Sequence, residues 1–363
     1  PVARTVSDLS VGDKVAIAGR VDVRERDKLA VSLIEMWDGA GGDPFDLLVC
    51  ETGLGEIAWT KRAEIHGNLS AVRRPASVNW RNTIWGQIRS MRERDLVPLA
   101  VLRRLGVPVP QGATVRVRTA GRAVELPLLV AISNELLWFL GLYVAEGCWH
   151  ESSHDSFVVL SCDDDTLDRA AKVVERELGL HAVRAAGSSA RSASLAVHGT
   201  LFLKLLAHLG FGGGQKRIPG WILGLPLNRL KWFVEGYREG DGVHSGAKFD
   251  AQERHEFSTT STQLKDDLIV AFARFGLVPS VGQYETTFRQ ATGDRRYPFW
   301  RLTIPKCSPW SPLEWDRGVQ QTMQAERTGD LVWAIVKEIV EVEPTSLVYD
   351  FCVPGRENFW AGT

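Results

Sequence analysis

Two short stretches of this chain are built alike, and they constrain its fold more than any other feature. Phe139-Leu140-Gly141-Leu142-Tyr143-Val144-Ala145-Glu146-Gly147 is answered later by Val234-Glu235-Gly236-Tyr237-Arg238-Glu239-Gly240-Asp241-Gly242. In each, two tiny residues stand four apart, Gly141 with Ala145 and Gly236 with Gly240, so each pair shares one helix face. An interior glycine costs a helix roughly 1 kcal/mol relative to alanine. Close approach of another helix is a reason to keep it. Packed side by side, the two helices are expected to bring Glu146 and Asp241 together at their C-terminal ends.

The surroundings repeat as well. The first helix is predicted over 134–146, with Ser133 as N-cap and Gly147 as stop, and the second over 228–241, stopped by Gly242. Each is followed by a strand-like segment, 156–160 and 255–259. A long amphipathic helix comes next, 165–178 and 262–275, closing on Gly179-Leu180 and Gly276-Leu277. Hairpin-like stretches follow at 193–197 and 299–304. The order α-β-α-β is read twice at matching spacing.

A carboxylate at a helix C-terminus sits at the negative end of the dipole. Two acids brought together also repel, and one tends to take up a proton. Alone, each acid reads as a solvated helix end; the repeated pair points to a divalent cation, which removes both conflicts. Hard oxygen ligands suit Mg²⁺, with water and phosphate oxygens filling the remaining positions. Such an ion activates a water and stabilises the leaving oxygen of a phosphodiester.

Gly-x-x-x-Ala-Glu-Gly at 141–147 and Gly-x-x-x-Gly-Asp-Gly at 236–242 resemble the two motif copies of single-chain LAGLIDADG homing endonucleases, over roughly residues 130 to 310. The resemblance implies an α+β fold of two pseudo-symmetric αββαββα repeats. It assigns catalysis and the metal, Mg²⁺ with Mn²⁺ as substitute, to Glu146 and Asp241. Glu146 stands where the family more often has Asp. Lys216, in Gln215-Lys216-Arg217-Ile218-Pro219, resembles the lysine that assists catalysis in intein-borne members. Its ammonium would stabilise charge developing on the phosphate; a phosphate-contact or surface lysine is the other reading. Lys306 is the pseudo-symmetric candidate. The family lays β-ribbons along the DNA major groove, which implicates Arg289, Arg295, Arg296 and Arg301, since Arg pairs bidentately with guanine edges.

A formal net charge of −1 is unremarkable until resolved along the chain. Residues 61–122 hold thirteen Lys or Arg against Glu64, Glu93 and Asp95. That local field is the footprint expected of phosphate contacts; a solvated arginine-rich surface is the alternative. Arg73, Arg74, Arg81, Arg89, Arg92, Arg94, Arg103 and Arg104 are the candidates for gripping double-stranded DNA. The stretch from 80 to 105 is expected to be largely helical, with Trp80 and Trp85 packing its core, until Pro108 and Pro110 break it. Five scattered cysteines, Cys50, Cys148, Cys162, Cys307 and Cys352, argue against a disulfide framework or zinc site and for a cytoplasmic setting. No apolar stretch approaches a membrane span, and the charged opening residues do not read as a signal peptide.

The chain ends carry a second resemblance. Tyr349-Asp350-Phe351-Cys352-Val353-Pro354-Gly355-Arg356-Glu357-Asn358-Phe359-Trp360-Ala361-Gly362 resembles the penultimate motif of inteins, and residues 6–15 are similar to an early intein segment. The implied layout is an N-terminal part of a splicing (Hint-like) domain at 1–60 and a basic DNA-recognition region at 61–125. The endonuclease then occupies 126–325, with repeats at about 130–225 and 226–325, and the C-terminal splicing part is 326–363. The two ends together would build one all-β part, with a host protein as exteins. Lacking a Thr-x-x-His motif, an N-terminal Cys or Ser and a terminal His-Asn, the chain as given is not expected to splice. Cys352 is a candidate splicing nucleophile or a buried strand cysteine. Two repeats in one chain imply a monomer. A decayed intein, or a maturase-like DNA- or RNA-binding protein on the same fold, is the alternative to an active enzyme.

Overall fold

The computed structural model describes residues 8–72, 80–118, 124–151, 156–187, 192–241, 243–244, 254–288, 295–305, 307–321 and 325–340. The chain divides into two compact units: Lys28–Gly212, and a second made of Pro1–Asp27 with Gly213–Thr363. The architecture is mixed α/β, with several small sheets.

In the unit Lys28–Gly212, the apolar strand Leu47–Cys50 lies between Leu96–Pro98 and Thr114–Val117 in a four-stranded antiparallel sheet. The boundary expected at residue 60 is therefore crossed by a sheet: residues 47–50 belong with the basic region. The expected helical stretch is broken in the same way, because strand Leu96–Pro98 separates helices Trp80–Arg94 and Leu99–Arg104. Asp95, at φ 50, makes that break and also caps a different helix. Its Oδ1 accepts the N–H groups of Gly53 (3.2 Å) and Gly55 (2.9 Å) at the start of Leu54–Thr60. Gly55 has no room for a side chain, since a Cβ there would lie 2.5 Å from the Met91 carbonyl oxygen. The short helix thus packs directly on the backbone of Trp80–Arg94.

The same unit continues as helix Asn134–Glu146, strands Cys148–Glu151 and Ser156–Leu160, helix Asp164–Leu178, strands Ala182–Ala185 and Ser194–His198, and helix Thr200–Leu206. Its sheet runs 182–185, 194–198, 156–160, 148–151, antiparallel throughout. Alternation sets the core face: Val158, Leu160, Leu195 and Val197 point inward. Asp163 caps helix Asp164–Leu178 by accepting from Thr166 N at 2.9 Å, and this bond holds its carboxyl below the usual range.

The other unit repeats the order: helix Leu227–Asp241, strands Val243–His244 and Arg254–Thr259, helix Thr262–Arg274, strands Ser280–Phe288 and Arg295–Pro305. Its sheet order, 243–244, 254–259, 295–305, 280–288, matches the first strand for strand. A 3-10 turn at Pro312–Glu314 stands where the first repeat has its closing helix. Residues from both chain ends join this unit. Strand Lys14–Ala18 pairs antiparallel with Leu331–Ile335, which also pairs with Glu326–Thr328. Residues 19–27 run against the second repeat, with Val21 N donating to Ala273 O (3.0 Å) and Arg26 N to Gly224 O (2.9 Å). Cys352 and the motif at 349–362 lie outside the described residues.

Candidate active site

Ser133 starts the first acid-bearing helix, its Oγ accepting from Leu136 N at 3.0 Å. Residues 136–144 are all buried, so the helix is enclosed on every side. The Arg169 guanidinium lies 3.9 Å over the Trp138 ring and pairs with Glu135 at 3.2 Å. Near the other end, the fully buried Tyr143 donates its hydroxyl to the Gly210 carbonyl at 2.7 Å, and burial pushes its phenol well up. Tyr143 also dictates Gly147. A Cβ at 147 would lie 2.2 Å from a Tyr143 ring atom, while Gly147 N–H donates to Tyr143 O at 2.8 Å. The helix therefore stops where the sequence pattern puts its stop, with Glu146 as its last residue.

Glu146 is half-buried. Burial alone raises its carboxyl above the ordinary range, with no neighbouring charge or hydrogen bond offsetting it. Among the described residues its side chain has no hydrogen-bond or ion-pair partner. A carboxylate drawn partly out of water without a protein cation is a group that an added cation would satisfy.

The second helix begins one residue earlier than expected, at Leu227, and ends on the half-buried Asp241. Gly236 is buried and Gly240 partly so. Tyr237 ties the helix to strand Arg254–Thr259, donating to Ser258 O at 2.7 Å. Glu235, only 4% exposed, takes two bonds from Arg238 one turn on, at 2.5 and 2.8 Å. The helix start is held from a distance. Arg274 is 3% exposed and donates through Nη1 to Leu223 O (2.6 Å) and Leu225 O (2.5 Å), and through Nη2 to Glu25 (3.1 Å). Sequence reasoning missed this anchor, because no local pattern links residue 25 to residue 274.

Lys216 is 3% exposed, which removes the reading of a surface lysine. Lys306 and Gly242 lie outside the described residues, as do Arg73, Arg74 and Arg289. Arg81 belongs to helix Trp80–Arg94 and Arg295 to strand Arg295–Pro305. Arg89, Arg92 and Arg94 are exposed on the first of these. Several candidate phosphate contacts already have acidic neighbours: Arg92 with Glu56 (2.7 Å), Arg103 with Asp38 (2.5 Å), Arg296 with Glu285 (3.9 Å) and Arg301 with Glu256 (4.0 Å). The pairs of Arg92, Arg103 and Arg296 are exposed and worth little, whereas Arg301 meets a buried Glu256. Arg104 stacks over Phe45 at 5.3 Å and Arg301 over Tyr284 at 4.8 Å. Trp85 departs from expectation: it is 43% exposed and stacks on His66 at 5.0 Å between centroids, since Ile84, Ile88 and Met91 take the buried side of its helix.

Among the described residues no group of three or more His, Cys, Asp or Glu gathers as a closed metal cage. Carboxylates outside such a cluster fit an ion that keeps most of its ligands as water and phosphate oxygens, as Mg²⁺ does. A structural zinc site, which needs four protein ligands, does not fit them.

No protein-family model matches the chain. A curated relative, the DNA-directed RNA polymerase subunit Rpo1C of Methanocaldococcus jannaschii, is 23% identical over 156 residues. The match covers 42% of this chain and spans 17% of that protein's length. Among solved structures, I-DmoI in complex with DNA and Ca superposes with a TM-score of 0.33 and 11% identity, over 47% of this chain and 82% of that one. I-DmoI with DNA and Mn gives 0.32 and 11%, over 47% and 89%. Mesophilic variants of the homing endonuclease I-DmoI give 0.33 and 10%, over 47% and 88%. No helix among the described residues is long and apolar enough to cross a membrane.

Proposed function

We propose that this chain is a LAGLIDADG-type homing endonuclease that cuts double-stranded DNA by metal-dependent phosphodiester hydrolysis, and that it sits within part of an intein. The observation that carries this reading is the doubled unit: the same helix, strand and sheet order occurs twice, each copy led by a glycine-bearing helix that ends on an acid, Glu146 or Asp241. The half-buried Glu146, without a protein cation among the described residues, supports a role as metal ligand. Glu146 and Asp241 would hold a divalent ion, Mg²⁺ with Mn²⁺ as substitute, which would supply an activated water and stabilise the leaving oxygen.

The protein's own part is to hold the two carboxylates at fixed helix ends. Tyr143 and Gly147 lock the last turn before Glu146, and Tyr237 anchors the turn before Asp241. Lys216 adds a positive charge for the phosphate oxygens as negative charge builds on them. The exposed arginines of helix Trp80–Arg94 and of the 280–305 hairpin grip and read the duplex. Pairing of strand Lys14–Ala18 with Leu331–Ile335 supports the intein part, because segments from both ends build one sheet around what lies between.

The test is to incubate the protein with a pooled library of intein-insertion-site DNAs, with Mg²⁺ or with EDTA, and to sequence double-strand ends. Discrete breaks at one site, abolished by EDTA, are expected. Specific retention of one DNA without any break would replace the enzyme by the binding-only alternative.

A further inference from the structure

The segment that carries Lys216 is fastened to the second repeat at two backbone points. Lys216 and Ile218 are each 3% exposed, while Arg217 between them is exposed, so alternate residues are turned inward. Both inward residues are clamped by side chains at the start of helix Thr262–Arg274. Ser261 Oγ donates to Lys216 O at 2.6 Å and accepts from Leu264 N at 3.1 Å. Asp267 Oδ2 accepts from Ile218 N at 2.8 Å, and its other oxygen accepts from Gln263 Nε2 at 2.9 Å.

Ser261 is itself held. It is 1% exposed, and its N–H donates to Thr259 Oγ1 at 3.0 Å at the end of strand Arg254–Thr259. A hydroxyl offers one donor and two acceptor lone pairs. Here the acceptor side caps the helix and the single donor is spent on Lys216. A helix cap alone needs only the acceptor; the donor bond reaches back 45 residues and does nothing for the helix. Burying a lysine also costs its hydration, so a fixed backbone beneath it limits the positions its ammonium can take.

From these contacts we infer that Ser261 is a positioning residue for Lys216, joining the capped start of the second repeat's long helix to the reaction centre. The inference rests on the proposed role of Lys216. It predicts that removing the Ser261 hydroxyl loosens Lys216 and slows the chemical step without weakening DNA binding.

Two measurements on the full chain separate these claims. In the first, metal-free protein is labelled with an amine-reactive acetyl ester, and Lys216 modification is followed by mass spectrometry against the exposed Lys172. Ser261→Ala should raise the Lys216 rate about tenfold, the factor that goes with one hydrogen bond of ordinary worth. Ser261→Thr, which keeps a hydroxyl, should restore it to within about twofold. Ser261→Gly, the gentler change at a cap, should raise the rate as Ala does if the lost bond to Lys216 is the cause, and should fall short of Ala if damage to the helix start is. Unchanged Lys216 labelling in both Ala and Gly variants overturns the inference.

In the second, steady-state cleavage of a DNA cut by the wild type with Mg²⁺ is compared among the same variants. A roughly tenfold lower kcat at constant KM in Ser261→Ala, recovered in Ser261→Thr, supports positioning. Faster labelling with unchanged kcat overturns it. Should Lys216→Met cut as well as wild type, the catalytic role of that lysine fails, and this result is distinct because the labelling outcome stands without it.

Discussion

The first repeat's acid-bearing helix buries an unbroken apolar run, residues 136–144, around a single glycine. The second repeat's buries Glu235 as well as Phe233 and Val234, and every buried polar or charged residue among the described ones, from Lys216 to Arg274, lies in the unit that holds this repeat. The two copies share an order of elements and differ in what fixes them. An apolar core is set by volume and tolerates exchange of similar shapes. A core with buried charge is set by partners, each of which leaves a costly orphan if removed. The first repeat is thus a packed support for one half-buried carboxylate, and the second is a bonded frame in which the chain start, the Lys216 segment and the long helix are tied together.

That difference predicts the largest response to a single change at the second repeat's buried arginine. Arg274→Met strips three bonds and leaves the Leu223 and Leu225 carbonyls without this donor, so a loss of about 3–5 kcal/mol is expected in urea unfolding. A loss below about 1 kcal/mol would show the frame to be dispensable. In the first repeat, Gly147→Ala drives a Cβ into the Tyr143 ring, and overpacking should cost about 1–3 kcal/mol. An unchanged midpoint would mean that the helix end relaxes freely. Tyr143→Phe removes the bond to Gly210 O and should cost about 1–2 kcal/mol by the same assay, since a buried carbonyl is left unpaired.

The smallest effect is the pH dependence that Asp267 contributes to the second repeat. Burial raises Asp267 above the ordinary Asp value despite its bond from Ile218 N. A raised folded value means stability that is fully present below the unfolded value near 3.9 and is lost as pH climbs through the higher folded one. Wild type should therefore lose ground to Asp267→Asn between about pH 4 and neutrality. A wild-type advantage that grows over that range contradicts the assignment.

Much of the site was legible because its signals are local. Ser133 and Gly147 bracket the first helix as the sequence pattern requires, and strand Ser156–Leu160 runs over the residues expected. The long helix after it begins one residue early, at Asp164, because Asp163 rather than Asp164 supplies the cap. What stayed hidden depends on partners far apart in sequence. Nothing around Leu47–Cys50 says that it pairs with 96–98 and 114–117, as it does in the sheet. The burial of Lys216 depends on a segment clamped from residues 261 and 267. Helix periodicity around Trp85 shows an apolar residue, but whether its face is covered is decided by helices 54–60 and 62–72. Capping and alternation are written in neighbouring residues; the choice among distant partners is not.

The most direct measurement compares Glu146→Gln and Asp241→Asn with wild type on the DNA that the wild type cuts, with Mg²⁺ present and binding measured alongside. Each variant should lose at least about 100-fold in double-strand cleavage while still binding that DNA, because each removes a proposed metal ligand and leaves the fold intact. Cleavage at wild-type rate by either variant would contradict the account that one carboxylate from each repeat carries the chemistry.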